Sequence, residues 1–216
     1  MHKASAAKED LASAITHGLG VVASLGAGPV LIVRVARAGD AWQLVSATIY
    51  VAALVLLYTA STLFHVVRLG SRTRMEIFDH CAIFVLIAGT YTPFTLMALR
   101  GVAGWVLFGA VWTLAAVGVF FKLFFIERFR RVSTLIYVLM GWLILAVVGP
   151  LVRAVPVPAL LWMLAGNLTY SAGIYFLLDR RVPYGHAIWH VFALGGSLCH
   201  FVAVLSQVLP ALPRTV

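Results

Sequence analysis

Two histidines sit four residues apart in YGHAIWHVF (184–192), namely His186 and His190, within an otherwise apolar stretch. On an α-helix, side chains at i and i+4 share one face, so two imidazoles at this spacing can hold one metal ion. The glutamate that a zinc-protease helix carries after its first histidine is Ala187 here. A base for water activation must therefore come from elsewhere in the chain. The same spacing recurs in STLFHVV (61–67), where Ser61 and His65 are four apart, and a single acidic group, Asp79, precedes a long apolar run. Three imidazole nitrogens suit Zn²⁺ and leave a coordination position open to water, whose pKa then falls to about 7. Asp79 could accept a hydrogen bond from that water or act as its base, and Ser61 could orient either group.

These residues are of use only if the fold brings them together, and the composition says what kind of fold that is. The chain has 216 residues, 62% hydrophobic and only 11% charged, with a mean hydropathy of +1.02. A soluble domain of this length needs far more polar residues to cover its surface, so the expected class is an all-α, polytopic membrane protein. The net charge of +9 does not indicate nucleic acid. A nucleic-acid binder groups basic residues with stacking aromatics on one face, whereas here they fall in short clusters between apolar runs. Cys81 and Cys199 both lie inside apolar runs and form no CxxC motif, so no redox role is inferred. The polar start MHKASAAKED is followed by a run long enough to span a membrane, and no cleavable signal peptide is evident.

Seven such runs occur, at about 11–33, 41–67, 77–99, 101–121, 132–152, 154–178 and 182–210. Each reaches the roughly 20 residues that a helix needs to cross the hydrocarbon core. The expectation is a single seven-transmembrane helical domain over 1–216, its short connections making successive helices antiparallel neighbours. Pro93 should kink the third span. Eleven of the 16 Lys and Arg (Lys3, Lys8, Arg68, Arg72, Arg74, Lys122, Arg128, Arg130, Arg131, Arg180 and Arg181) fall on one side, and Arg34, Arg37, Arg100, Arg153 and Arg214 on the other. The positive-inside rule then favours an N-terminus in the cytoplasm and a C-terminus outside, the same seven spans inserted the other way round being the alternative, with the chain expected in the cell (inner) membrane. The segment FKLFFIERFRR (121–131) has the aromatic and basic residues of an inner interface, where Arg130 and Arg131 would meet anionic headgroups.

In this topology Ser61 and His65 end the second span, Asp79 opens the third, and His186 and His190 begin the seventh. Five groups far apart in sequence arrive at one depth near the cytoplasmic boundary. A single histidine in a membrane helix can equally be a packing residue, and Asp79 could instead be a helix N-terminal charge favouring the macrodipole. Three histidines with an aspartate at one depth are harder to assign to packing, because ionisable groups in spans are expensive and usually face an interior cavity. The remaining histidines are set apart by position. His200 lies about 21 Å deeper than His186 along a helix rising 1.5 Å per residue, so it cannot share the ion. His80 points away from Asp79 and is expected to be structural, and His2 is expected in a disordered tail. His17, about two turns into the first span, is a candidate supporting group behind the ligands or a packing residue. Asn167-Leu168-Thr169 matches a glycosylation sequon but falls within a span, where the match carries no information.

The segments SAITHGLG (13–20), STLFHVV (61–67), IFDHCAIFVLIAGTYTPF (77–94) and GHAIWHVFALGGSLCHF (185–201) resemble the bacterial hemolysin III proteins. These are similar to the progestin and adiponectin receptor superfamily and, more distantly, to alkaline ceramidases. The resemblance spans nearly the whole chain. It implies seven helices, a cytoplasmic N-terminus and a zinc ion near the inner leaflet held by His65, His186 and His190. It also implies a water-linked aspartate at Asp79 and a supporting serine at Ser61.

Three functions follow as expectations. The first is a zinc-dependent hydrolase of lipid amide or ester bonds, with membrane lipids as substrates. The second is a non-enzymatic sensor or regulator of lipid or proton-gradient state, whose zinc is structural. The third is a pore-forming, cytolytic hemolysin, against which the absence of an amphipathic or secreted segment argues.

Overall fold

A computed structural model describes residues 2–38, 40–67, 72–125, 130–179 and 181–208. All regular structure among them is helical: α1 (His2–Ala38), α2 (Ala41–Val66), α3 (Arg72–Pro93), α4 (Val102–Phe125), α5 (Arg130–Trp142), α6 (Val148–Ala154), α7 (Val157–Leu178) and α8 (Gly185–Val208). A π-helical turn, Phe94–Ala98, extends α3, and a 3₁₀ turn, Leu143–Val147, joins α5 to α6. These elements form seven spans that are long and apolar enough to cross a membrane. Arg68, Arg128, Arg180, Arg214 and the expected end of the last span at 209–210 lie outside the described residues, as do the side chains of Arg130 and Arg131.

α1 shows the logic of a helix whose solvent is lipid. Ser13, His17, Gly20 and Ser24 recur every three to four residues and are buried. Leu11, Ile15, Leu19 and Val22 recur on the opposite face and are exposed. The polar stripe faces the protein and the apolar stripe faces outward, which reverses the pattern of a soluble amphipathic helix. Because lipid tails are as apolar as leucine, helices in a bilayer associate through close packing and polar contacts rather than through apolar burial. α1 packs on α2 and α8, α2 on α3, α3 on α4, and α7 on α8, so the first and last spans meet and close that side of the bundle. The α2–α3 contact is tight: a Cβ built on Gly89 would fall 2.6 Å from the Cβ of Ala53. That glycine lets α3 approach closely the helix that carries Ser61 and His65.

Three expectations change. α1 begins at His2, so His2 belongs to a helix and not to an irregular tail. α3 begins at Arg72, which places Asp79 two turns inside it at 5% exposure. The macrodipole effect fades within the first turn, so a role for Asp79 as a helix N-terminal charge is excluded. The fifth span is broken between α5 and α6. There the Tyr91 hydroxyl reaches Met140 O at 2.7 Å and Gly141 O at 3.0 Å, and accepts from the Ile144 N–H at 2.9 Å. Pro93, the expected kink, is followed directly by the π-helical turn.

Candidate functional site

The turn before α8 sets where its histidines stand. Asp179 ends α7, and its carboxylate accepts from the Arg181 N–H at 2.9 Å. Tyr184 then adopts a left-handed backbone (φ 57°), uncommon for a residue with a side chain. Gly185 follows where a Cβ would lie 2.6 Å from the Phe176 carbonyl oxygen, so the last turn of α7 can be approached there only by glycine. The helix therefore starts with His186 in its first turn and His190 one turn on. Its N-terminal amides lack partners within the helix, and Glu9 of α1 accepts from the His186 N–H at 3.0 Å.

His65 ends α2 beside this pair. Ring centroids are 5.1 Å apart for His65–His186, 4.9 Å for His65–His190 and 4.6 Å for His186–His190. One nitrogen from each of the three lies within 4.8 Å of the others. His65 Nε2 and His190 Nδ1 are buried without hydrogen-bond partners, whereas buried polar atoms are ordinarily paired. This cluster could hold a metal ion. Zinc–nitrogen bonds of roughly 2.0–2.1 Å ask only that these rings draw together by small side-chain rotations. The donor set also fits zinc chemically, since it is three neutral imidazoles with no soft sulfur ligand.

Ser61, Asp79, His186 and His190 line one cavity of about 370 Å³, whereas His65 stands just outside the lining against the other two rings. Ser61 Oγ is buried without a conventional hydrogen-bond partner and within interaction range of the Asp79 carboxyl. His17 also lines the cavity. It stacks on His190 at 3.6 Å with planes 11° apart and meets Tyr58 edge-on at 5.1 Å. The cavity then runs between apolar side chains, among them Leu57, Ile83, Leu86 and Val138, as far as His200. There His200 Nδ1 donates to Gly196 O at 2.8 Å, and the Tyr170 and Ser197 hydroxyls pair at 2.7 Å.

Several of these residues were not legible in the sequence. Glu9 and Asp10 fall in a stretch read as a polar leader to the first span, yet Asp10 Oδ1 lies 3.0 Å from His65 Nδ1 and pairs with Arg72 at 3.2 Å. Their proximity to the SAITHG segment was the one available signal. Lys122, expected among the basic residues of the inner interface, is 3% exposed and lines the cavity. His80, expected to be structural, lines it too, and its carbonyl accepts from the Tyr137 hydroxyl at 3.0 Å. Cys81 and Cys199 are free thiols.

Comparison with known proteins adds to this geometry. The family model described as "Haemolysin-III related" matches residues 5–201. Hemolysin-3 of Bacillus cereus is 46% identical over 204 residues, covering 94% of this chain and 93% of that protein. The Hemolysin-3 homolog of Bacillus subtilis (strain 168) is 45% identical over 199 residues, covering 92% and 93%. The human Monocyte to macrophage differentiation factor is 27% identical over 204 residues, covering 91% and 83%.

Proposed function

The chain belongs to the haemolysin-III-related family, and from that premise we propose that it is an intramembrane zinc-dependent hydrolase of lipid amide or ester bonds. The observation that carries this reading is the clustering of His65, His186 and His190 at one end of a cavity that Asp79, Ser61, His186 and His190 line. His186 and His200 both line the cavity and lie 14 residues apart along α8, a rise of about 21 Å at 1.5 Å per residue. Such a length accommodates an acyl chain with its polar bond beside the histidines. The bundle sits in the cell membrane with this end facing the cytoplasm.

His65, His186 and His190 would hold the ion, which when bound supplies Lewis-acid activation of water at neutral pH. Asp79 takes a proton from the attacking water as its oxygen adds to the lipid carbonyl. It then passes that proton to the departing amine or alkoxide as the C–N or C–O bond breaks. Ser61 donates a hydrogen bond to the oxyanion that develops between these steps. The apolar wall from Leu57 to Val138 holds the chain and excludes bulk water, which strengthens each of these interactions.

The test is turnover of ceramides, acyl amides and phospholipids by purified protein supplied with zinc. Release of fatty acid that is lost in Asp79→Asn supports the proposal; no release from any of these classes overturns it. The names of the two bacterial relatives point instead to haemolysis. Dye leakage from loaded liposomes, undiminished in Asp79→Asn, would favour that reading.

A further inference from the structure

Outside the ligands themselves, the most completely built group of polar contacts is the one that α1 makes with the histidine helices. A carboxylate can only accept hydrogen bonds. The 3.0 Å contact between Asp10 Oδ1 and His65 Nδ1 therefore fixes the proton of the neutral ring on Nδ1 and leaves the lone pair on Nε2. His65 Nε2 is the atom that is buried without a partner. Arg72, at the start of α3, holds both oxygens of Asp10 at 3.2–3.3 Å and stacks over Phe64, 5.1 Å from its ring centre. The carboxylate is thus pinned from one side and directed at the imidazole on the other. The neighbouring residue, Glu9, holds the first turn of α8 through the His186 N–H at 3.0 Å.

We infer that Asp10 is a positioning residue for metal binding: it sets the tautomer and orientation of His65, while adjacent Glu9 sets the height of His186. The inference rests on the proposed metal site and adds to it two acidic residues from a fourth helix. Carboxylate–histidine partners of this kind raise the basicity of the ligand and restrict its rotation. Their removal typically lowers metal affinity by roughly 10–100-fold. The two contacts act on different helices, so the pair ties α2 and α8 to a common reference on α1. A single unit step of the chain, Glu9 to Asp10, thereby couples the ligands of the two helices.

Metal affinity of the purified full chain, measured by chelator competition with zinc alone and by the visible spectrum of the cobalt-loaded protein, tests this. Asp10→Ala is expected to weaken zinc about 10–100-fold and to alter the cobalt spectrum. Asp10→Asn, which keeps an acceptor, should lose less and serves if the alanine variant does not fold. Arg72→Gln keeps the Asp10–His65 contact and should stay within a few-fold of the parent. Unchanged affinity in both Asp10 variants overturns the inference and leaves the metal site standing. Equal losses in Asp10→Ala and Arg72→Gln also overturn it, reducing Asp10 to a tie between α1 and α3. If the parent itself binds neither zinc nor cobalt, the metal site and this inference fall together.

Discussion

In the third span, 67% of the most apolar stretch is buried within the protein, whereas in the fifth the share is 17%. The two spans differ in polar content in the same direction. The third carries Asp79, Thr90, Thr92 and Thr95, all buried; among the described residues of the fifth, Ser133 is the one buried polar side chain. A polar group costs least where neighbouring helices can pair it, so the interior spans are where this chain can keep its chemistry. The fifth span meets the opposite problem. Its backbone breaks between α5 and α6, and in a bilayer freed amide and carbonyl groups must still find partners. Tyr91, from the third span, supplies them. The buried helix thus carries Asp79 on one turn and, about three turns further on, Tyr91, which supplies partners at the break in its more exposed neighbour.

That contrast can be broken at graded cost. The largest effect is expected from Asp79→Asn, which should lower lipid hydrolysis about 10²–10⁴-fold with zinc content unchanged. If the variant instead loses its metal, Asp79 is a ligand and the interior span's polar load has a different meaning. Next, Tyr91→Phe removes the hydroxyl at the break and should cost about 1–3 kcal/mol, read as a lower melting temperature with zinc content intact. An unchanged melting temperature would show that the break satisfies itself.

The smallest effect lies outside both spans, at Asp40, which caps α2 through the Trp42 N–H at 2.9 Å and pairs with Arg100. The Arg100 hydrogen bond, helped by the cap amides, holds the Asp40 carboxyl below its ordinary 3.8. The folded state therefore gains stability above the unfolded value, and that gain is lost as pH falls through the lower folded one. Arg100→Gln should cost no more than about 1 kcal/mol at neutral pH and flatten the loss of stability below pH ~4. A larger cost at neutral pH would mean that this exposed pair does more than screen a helix end.

Much of this was legible in the chain. The seven apolar runs, the i, i+4 histidine pair and the alternation of spans sufficed to bring His65, Asp79 and His186 to one end, because length and hydropathy act locally. What could not be read depends on distant partners. Glu9 and Asp10 look like a hydrophilic leader until α1 is seen to run unbroken from His2 past both. The break in the fifth span is invisible because its supporting hydroxyl sits 53 residues from the amide it accepts. Lys122 reads as an interfacial cation, since nothing in a sequence says that a cavity lies beside the end of α4.

The central claim is that three imidazoles from two helices hold a zinc ion inside this bundle. Metal analysis of the purified chain with X-ray absorption at the zinc edge tests it most directly. The account predicts one zinc per chain in a nitrogen and oxygen shell, with the metal lost in His190→Ala. A protein that carries no transition metal, or that keeps its zinc in His190→Ala, would contradict it.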